Sequence, residues 1–570
     1  MRVLLLHPDD DPQDQLWARE HWDRVIDLGF AGEETYDRWS QNFDCPVESL
    51  PKLRIEEFSV VRQALASGFD QVVDKYGLDW WELISIRFHE QIALILRLKK
   101  LAELMNSRDE VHITRDGNHA EILRALLPQL QCLTSEAAKF GKVRRVISSA
   151  RALSAAQIVQ TLGDKYDAGY RIRRWVAARW KPQTAPVVLL PTAHVTAARM
   201  AISYARALTG TNFLLVATRK NGRTDEFPRN VACAMLASYA PGKCDEAEYR
   251  KLLAAWRELE PILERNVEAA ILKRLESFLR FPKTLCDGLA IRDAWLRVFE
   301  REPISAVLCT DDSNPYTQIP MLLARNRGLP TVACHHGALD GQNLVKRSHA
   351  EIVLAKGRME RDYLANTCGL SAGKIQVGAP PMPERSRTGV REKDAILFFS
   401  EPYELDGGRA QEICEGILPE LARVARRMEL KLIVKLHPME SVSQRTRLVR
   451  RCLSPTEIQS ATVVAGKLSD ELLERAGLAV AIQSTAAVDC RLRGIPVFLC
   501  AWLDCGHFGY LDQFVKFRAG VALRSPAEIA KIPELLGAAT AADIRGLWEA
   551  ASTEKLERIL TRRLELGIAV

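Results

Sequence analysis

Three short stretches in the second half of the chain close apolar runs with residues that can do chemistry. They are Thr-Val-Ala-Cys-His-His-Gly at 331–337, Leu-Ile-Val-Lys-Leu-His-Pro at 432–438 and Ala-Ile-Gln-Ser-Thr-Ala-Ala-Val-Asp at 481–489. The last is followed by Gly-Ile-Pro-Val at 494–497. Each reads as a buried strand ending in polar, ionisable or phosphate-binding residues. Open α/β sheets bind ligands at the carboxyl ends of their strands. Three such ends predict one composite site for an anionic ligand.

In the third stretch Gln483 ends the strand, and Ser484 and Thr485 begin a helix as a hydroxyl cap. Free N–H groups, a positive dipole end and two hydroxyls suit a phosphate. Asp489, one turn further on, is placed to accept from ribose hydroxyls. A plain cap with a buried aspartate fits the same letters. In the second stretch the period of a strand sends Lys435 and His437 to one face, a pair that suits a phosphate or a nucleobase carbonyl. A solvated lysine beside a structural histidine is the alternative. In the first stretch one histidine is expected to point into the site and the other to pack. His336 is the candidate general base for a hydroxyl, and His335 joins the acceptor side.

Weaker candidates stand at other strand ends. Asp311 and Asp312, in Thr-Asp-Asp-Ser-Asn-Pro, could supply a base or hold an acceptor, or one of them could cap the next helix. His194, in Pro-Thr-Ala-His, lies at a strand-to-helix junction where an acceptor would bind. Glu401, in Phe-Phe-Ser-Glu-Pro, tops another strand and could line the donor side. Lys346 and Arg347 read as a solvated turn rather than a phosphate contact.

The elements that must position these residues follow from hydrophobic patterning. Residues 1–133 alternate strand and helix signals and read as an α/β module, with long helices over 56–75 and 80–105. Residues 134–184 read as a basic helical linker. A Rossmann-like domain is expected over 185–390, with Thr192 capping its first helix and a helical insertion at about 245–300. A second spans 391–525, and helices fill 526–570. The class is α/β, with two Rossmann-like domains plus the added module.

A chain of 570 residues is too long for one core. Its 47% hydrophobic and 26% charged content is that of ordinary soluble proteins. The 13 cysteines are scattered, odd in number and lack Cys-x-x-Cys, so reduced thiols and no zinc are expected. The net charge of +7 is concentrated: Thr134–Lys181 holds eleven Lys/Arg against three Asp/Glu. That argues against nucleic acid as a partner. Arg171, Arg173 and Arg174 beside Trp175 and Trp180 suit a bilayer surface, so 139–181 is the candidate for peripheral membrane contact. An Arg-rich surface helix with its tryptophans in a core fits equally. The chain has no Gly-x-Gly-x-x-Gly, Walker loop, Gly-x-Ser-x-Gly or His-Glu-x-x-His.

Taken in order, His-His-Gly, Gly-Ala-Pro at 378–380, Lys-Leu-His-Pro, Gln-Ser-Thr and Gly-Ile-Pro resemble GT-B glycosyltransferases of bacterial surface and capsule polysaccharide synthesis. The polysialyltransferase-like and CDP-glycerol glycerophosphotransferase-like groups are the most similar. The resemblance covers about 300–505. It implies two facing Rossmann-like domains, a nucleotide-sugar donor on the C-terminal one and a glycan or lipid-linked acceptor on the other. It assigns donor phosphate to Ser484 and Thr485, nucleotide or phosphate contact to His437, and base or substrate contact to His336. It implies a cytoplasmic transferase with no metal in the site and no cofactor beyond the nucleotide-sugar substrate, CMP- or CDP-linked in the groups named. The sequence departs from those groups in three places. The acidic-acidic-Gly motif has no match, His335 replaces the usual Gln, and Ala338-Leu339-Asp340 stands where a Lys-rich turn is usual. A nucleotide-sugar epimerase or hydrolase on the same fold is the second reading, and a non-catalytic glycan-assembly scaffold the third.

Overall fold

The computed structural model describes residues 1–11, 15–133, 185–219, 222, 227–239, 245–382, 393–503, 508–541 and 546–561. The basic linker expected over 134–184, and with it the membrane contact, lies outside the described residues. Among the described residues no helix is long and apolar enough to cross a membrane.

The strands form three sheets in which every pairing is parallel. The first comprises β1 (Arg2–Leu6), β2 (Arg24–Asp27), β3 (Val47–Ser49), β4 (Glu110–Ile113) and β5 (Gln131–Cys132), in the order β3-β2-β1-β4-β5. The second comprises β6 (Val187–Thr192), β7 (Asn212–Ala217), β8 (Val231–Met235), β9 (Ile304–Cys309), β10 (Thr331–Cys334), β11 (Ile352–Ala355) and β12 (Ile375–Val377), in the order β12-β11-β10-β9-β6-β7-β8. The third comprises β13 (Ala395–Phe399), β14 (Lys431–Lys435), β15 (Ala461–Val464), β16 (Ala476–Ala481), β17 (Val497–Cys500) and β18 (Val521–Leu523), in the order β15-β14-β13-β16-β17-β18. Central strands such as β6 and β13 are buried at every position. Strands covered on both faces read as unbroken apolar runs, which is why they stand out in the sequence.

All three sheets share one winding. The chain starts at a central strand, works outward to one edge, then crosses over and works outward to the other. The reversal lies between β1 and β4, between β6 and β9, and between β13 and β16. A crevice opens at such a reversal because the flanking connections leave on opposite sides.

The chain divides into two compact units that do not follow sequence order. One contains Met1–Ile55, Leu94–Lys139 and Arg385–Leu547, and so holds the first and third sheets. The other contains Glu56–Ala93, Phe140–Glu384 and Trp548–Val570, and holds the second sheet. Residues 56–93 pack with the 245–300 insertion inside the second-sheet unit. Trp256 stacks on Phe281 at 3.9 Å and on Trp81 at 5.4 Å. Buried Arg292 donates to Asp74 and Glu248, each at 2.8 Å. A Cβ on Gly288 would meet the Trp80 ring at 2.3 Å, so the helix Phe281–Arg301 can approach that ring only with glycine there.

Several expected elements differ. The helix expected over 56–75 stops at Ala66, and that expected over 80–105 is split into Trp80–Ser85, Ile86–Phe88 and His89–Glu103. Strand β8 was not expected. Thr192 does not cap a helix: it ends β6, and its hydroxyl donates to the Gly222 carbonyl at 2.8 Å. His194 caps instead, accepting at Nδ1 from the Ala197 N–H. The tail expected to be helical bridges Ala550 to Ala379 before the helix Thr553–Thr561. Leu556, Ile559 and Leu560 of that helix join the core of the second sheet.

Candidate functional site

The second sheet places its reactive residues at its own reversal. His194 follows β6, Asp311 and Asp312 follow β9, and His335 and His336 follow β10. His194 Nε2 lies 3.1 Å from Asp311 Oδ2. The His194 and His336 rings meet edge to face at 4.4 Å, and His335 and His336 at 4.3 Å. One donor atom from each of His194, Asp311 and His336 lies within 4.8 Å of the others. Along the chain these residues are far apart, and only the crossover from β8 to β9 brings them together.

The surroundings fix each ring. His194 Nδ1 is 2.6 Å from Thr196 Oγ1. His336 Nδ1 is 3.4 Å from the Thr310 carbonyl, to which it can only donate, so Nε2 is left as an acceptor. Burial pushes the His336 pKa well below its ordinary value, and charge on His335 or His194 would lower it further. The imidazole is therefore neutral at neutral pH. Burial also pulls His335 down to about 4, against the opposing pull of Asp340. Asp312 neither caps a helix nor faces solvent. It accepts from Lys346 Nζ at 2.6 Å, and the same ammonium donates to Asp340 at 2.6 Å and to Ser313 Oγ at 2.7 Å. Asn314 is the cap of the following helix.

Lys346 is thus not a solvated turn residue. Its side chain is 2% exposed. Burial alone would lower its pKa, but the Asp312 and Asp340 carboxylates outweigh that and raise it. Lys346 and burial act on Asp340 in the reverse sense, and the lysine wins, holding that carboxyl low. Lys356 Nζ donates to the His335 carbonyl at 2.9 Å and to Glu360 at 2.7 Å. Lys356 therefore braces the His335–His336 turn, and Lys346 ties Asp312 to Asp340 beside it. Nothing in the linear spacing marks Asp340 or Lys356 for this role. Arg347 is half exposed and lies 3.6 Å from Glu82.

The third sheet gathers the other candidates at its reversal. Glu401 follows β13, and its Oε1 accepts from the Gln483 N–H at 3.0 Å. That ties the end of β13 to the end of β16. Ser484 Oγ accepts weakly from the Ala486 N–H at 3.4 Å, while the Thr485 side chain makes no cap bond. Ser484 and Thr485 are both partly exposed, and Asp489 is exposed rather than buried. Gly494, at φ +73°, terminates the short helix Ala486–Leu492.

Lys435 and His437 part company. Lys435 is buried, and its ammonium donates to the Leu436 and Gly466 carbonyls at 2.6 and 2.8 Å. The lysine therefore acts as a strut of the turn. Desolvation lowers its pKa, with Glu440 opposing. His437 is exposed, and its Nδ1 accepts from the Met439 N–H at 3.3 Å. Partial desolvation and then the Lys435 charge hold its pKa down. Glu440 was not expected in the site. It accepts from Ser400 Oγ, the His437 N–H and Arg445 Nε, each at 2.6 Å.

No family model matches the chain, and no curated protein matches it. Solved structures do. The Staphylococcus aureus MnaA–UDP structure is 10% identical over 66% of this chain and 95% of its own, with a TM-score of 0.39. Acinetobacter baumannii MurG is 13% identical over 66% of this chain and 100% of its own, at 0.37. Methanocaldococcus jannaschii UDP-GlcNAc 2-epimerase, in complex with UDP-GlcNAc and UDP, is 13% identical over 66% and 99%, at 0.39. Likeness at this level assigns no activity to the chain.

Proposed function

We propose that the chain is a nucleotide-sugar-dependent glycosyltransferase of the GT-B type, acting on a glycan or lipid-linked acceptor. The observation that carries this reading is the meeting of His194, Asp311 and His336 at the reversal of the second sheet. In this reading His336 Nε2 takes the proton of the acceptor hydroxyl. Asp311 offsets the imidazolium that forms, and His194 holds Asp311 in place. At the reversal of the third sheet Ser484, Thr485 and His437 offset the charge growing on the leaving phosphate. Glu401, through the Gln483 N–H, fixes the strand end that carries them. Asp489, at the surface one turn on, is the candidate for the ribose hydroxyls.

The test is a thermal-shift panel of CMP, CDP, UDP, UMP, GDP and dTDP, followed by turnover with the sugar form of whichever nucleotide binds. A ligand that binds only the native state raises the melting temperature. The shift is expected to disappear in the Ser484→Ala/Thr485→Ala double variant. Loss of a positioned base costs about 10²–10⁴-fold in rate, so His336→Gln and Asp311→Asn should retain the shift and lose turnover on that scale. Full turnover in both variants, or unchanged nucleotide affinity in the double variant, overturns the reading. Conversion of the sugar nucleotide without any acceptor would give the site to the epimerase or hydrolase reading.

A further inference from the structure

We infer that His194, Asp311 and His336 together hold a divalent first-row transition-metal ion. The inference rests on the reading of this cluster as the place where the acceptor loses its proton, but it changes the agent: an ion on His336 Nε2 takes the lone pair assigned above to the base, so base and ion are exclusive readings of that atom. No metal was expected, because the resembling enzymes need none in the site and the cysteines form no zinc motif; the three residues lie 117 and 25 positions apart. In the fold one atom of each falls within 4.8 Å of the others. Ligands about 2.1 Å from a tetrahedral cation lie roughly 3.4 Å apart, so the three side chains would have to draw together around the ion. Two imidazoles and one carboxylate, with the remaining positions open, suit zinc, iron or manganese better than the all-oxygen preference of magnesium or calcium.

The outer shell is that of a ligand set. Metal-bound histidines are oriented through their second ring nitrogen. Here His336 Nδ1 faces the Thr310 carbonyl at 3.4 Å, and His194 Nδ1, 2.6 Å from Thr196 Oγ1, would donate to that hydroxyl once Nε2 holds the ion, giving up its 3.4 Å cap bond from the Ala197 N–H. The Asp311 backbone is pinned by the Thr317 hydroxyl, which donates to its carbonyl. The charges point the same way. Asp311, Asp312 and Asp340 are all buried, and among the described residues Lys346 is the one ammonium hydrogen-bonded to these carboxylates. Three carboxylates against one ammonium leave two formal negative charges, which a divalent ion would match. The His194 side chain remains 35% exposed, so an ion has a way in. A bound cation lowers the pKa of an oxygen it holds, which is the chemistry the acceptor hydroxyl needs.

The test needs no substrate. The full chain is stripped with EDTA, dialysed, and equilibrated with micromolar Zn²⁺, Mn²⁺, Co²⁺ or Mg²⁺. Bound metal is counted by mass spectrometry, and the Co²⁺ form is scanned for ligand-field bands. We expect about one transition-metal ion per chain and a visible Co²⁺ spectrum. Binding should weaken at least tenfold in Asp311→Asn and in His336→Gln, and persist in His21→Gln, which alters an exposed histidine in the other unit. Circular dichroism checks that each variant is folded. No stoichiometric binding, or equal binding in Asp311→Asn and wild type, overturns the inference. A stripped protein that binds no ion yet transfers sugar at full rate does so too, and leaves the His336 base standing. A chain that binds the ion at these ligands but turns over no sugar nucleotide keeps the metal site and removes the transferase.

Discussion

Glu440 holds the turn that carries His437. Its side chain is 1% exposed and receives a hydroxyl, a backbone N–H and a guanidinium. Hydrogen bonds to a charged group contribute about 1.5–3 kcal/mol. Glu440→Gln should therefore lower the unfolding free energy by about that amount in urea titration, and reduce any nucleotide-induced melting shift with it. An unchanged urea midpoint would mean that Arg445 is satisfied through Glu404 at 3.2 Å and the Glu401 carbonyl at 3.4 Å. Residues of this kind were not legible in the sequence, because Glu440 has the same letter as any solvated glutamate two residues after His-Pro. Lys346 failed for the same reason, since its partners Asp312 and Asp340 are identified only by the fold. His194, Asp311, His336, Glu401 and Gln483 could each be named from position alone, because the end of an apolar run marks a strand end. Which of them meet depends on strand order, and strand order is not written in local pattern.

The first sheet shows what else the carboxyl ends of strands at a reversal can hold. The carboxyl ends of β1 and β2 are occupied by Arg409, from the loop before the helix Ala410–Arg427. Its guanidinium binds the Asp27 carboxylate at 2.7 Å and donates to the His7 carbonyl at 2.9 Å and to the Asp10 carbonyl. Arg409 also lies over the Trp39 ring at 4.7 Å. Next to it the Phe30 N–H donates to the Gly407 carbonyl at 3.1 Å, and the Arg409 N–H to the Phe30 carbonyl at 2.8 Å. A Cβ on Gly408 would meet the Phe30 ring at 2.5 Å. The crevice rim of the N-terminal module is thus a docking socket for the third sheet. Arg409→Met should destabilise by about 3–5 kcal/mol, because it strands a buried carboxylate, and adding Asp27→Asn should recover part of that loss. If the double variant is no better than the single one, the socket is held by packing rather than by charge. At this scale the sequence was readable where burial is two-sided, as in β6 and β13. It misled where one apolar stretch served as several elements. The apolar face of residues 56–105 looks like two long helices, yet its tryptophans are needed by the 245–300 helices, and the backbone breaks at Ala66 and Ser85 to deliver them.

The molecule as a whole carries buried groups whose charging opposes or assists folding, and two in the second-sheet unit oppose each other over one pH window. Burial holds His335 at about 4 in the folded state, against about 6.5 in an unfolded chain. As pH falls below 6.5 the unfolded chain takes up a proton that the folded state refuses, so stability declines. Burial also raises Asp79 to about 6, though three backbone N–H groups pull the other way, against about 3.9 unfolded. Between pH 6 and 4 the folded state keeps a proton that the unfolded chain releases, so stability rises as pH falls. Each proton of difference is worth about 1.4 kcal/mol per pH unit, and the two slopes nearly cancel. Asp79→Asn leaves only the histidine slope. It keeps an oxygen to accept from the Trp81 and Glu82 N–H groups, but sets Nδ2 against the Asp70 N–H that Oδ2 now receives, a loss that does not vary with pH. Relative to wild type the variant should stand highest at pH 7, where the buried charge is removed. Its relative stability should fall steadily to pH 4, where wild type is already protonated. Urea melts at pH 4, 5, 6 and 7, followed by tryptophan fluorescence, give the difference directly. A gap independent of pH would show that Asp79 does not titrate in this window and that its role is confined to capping the helix Trp80–Ser85.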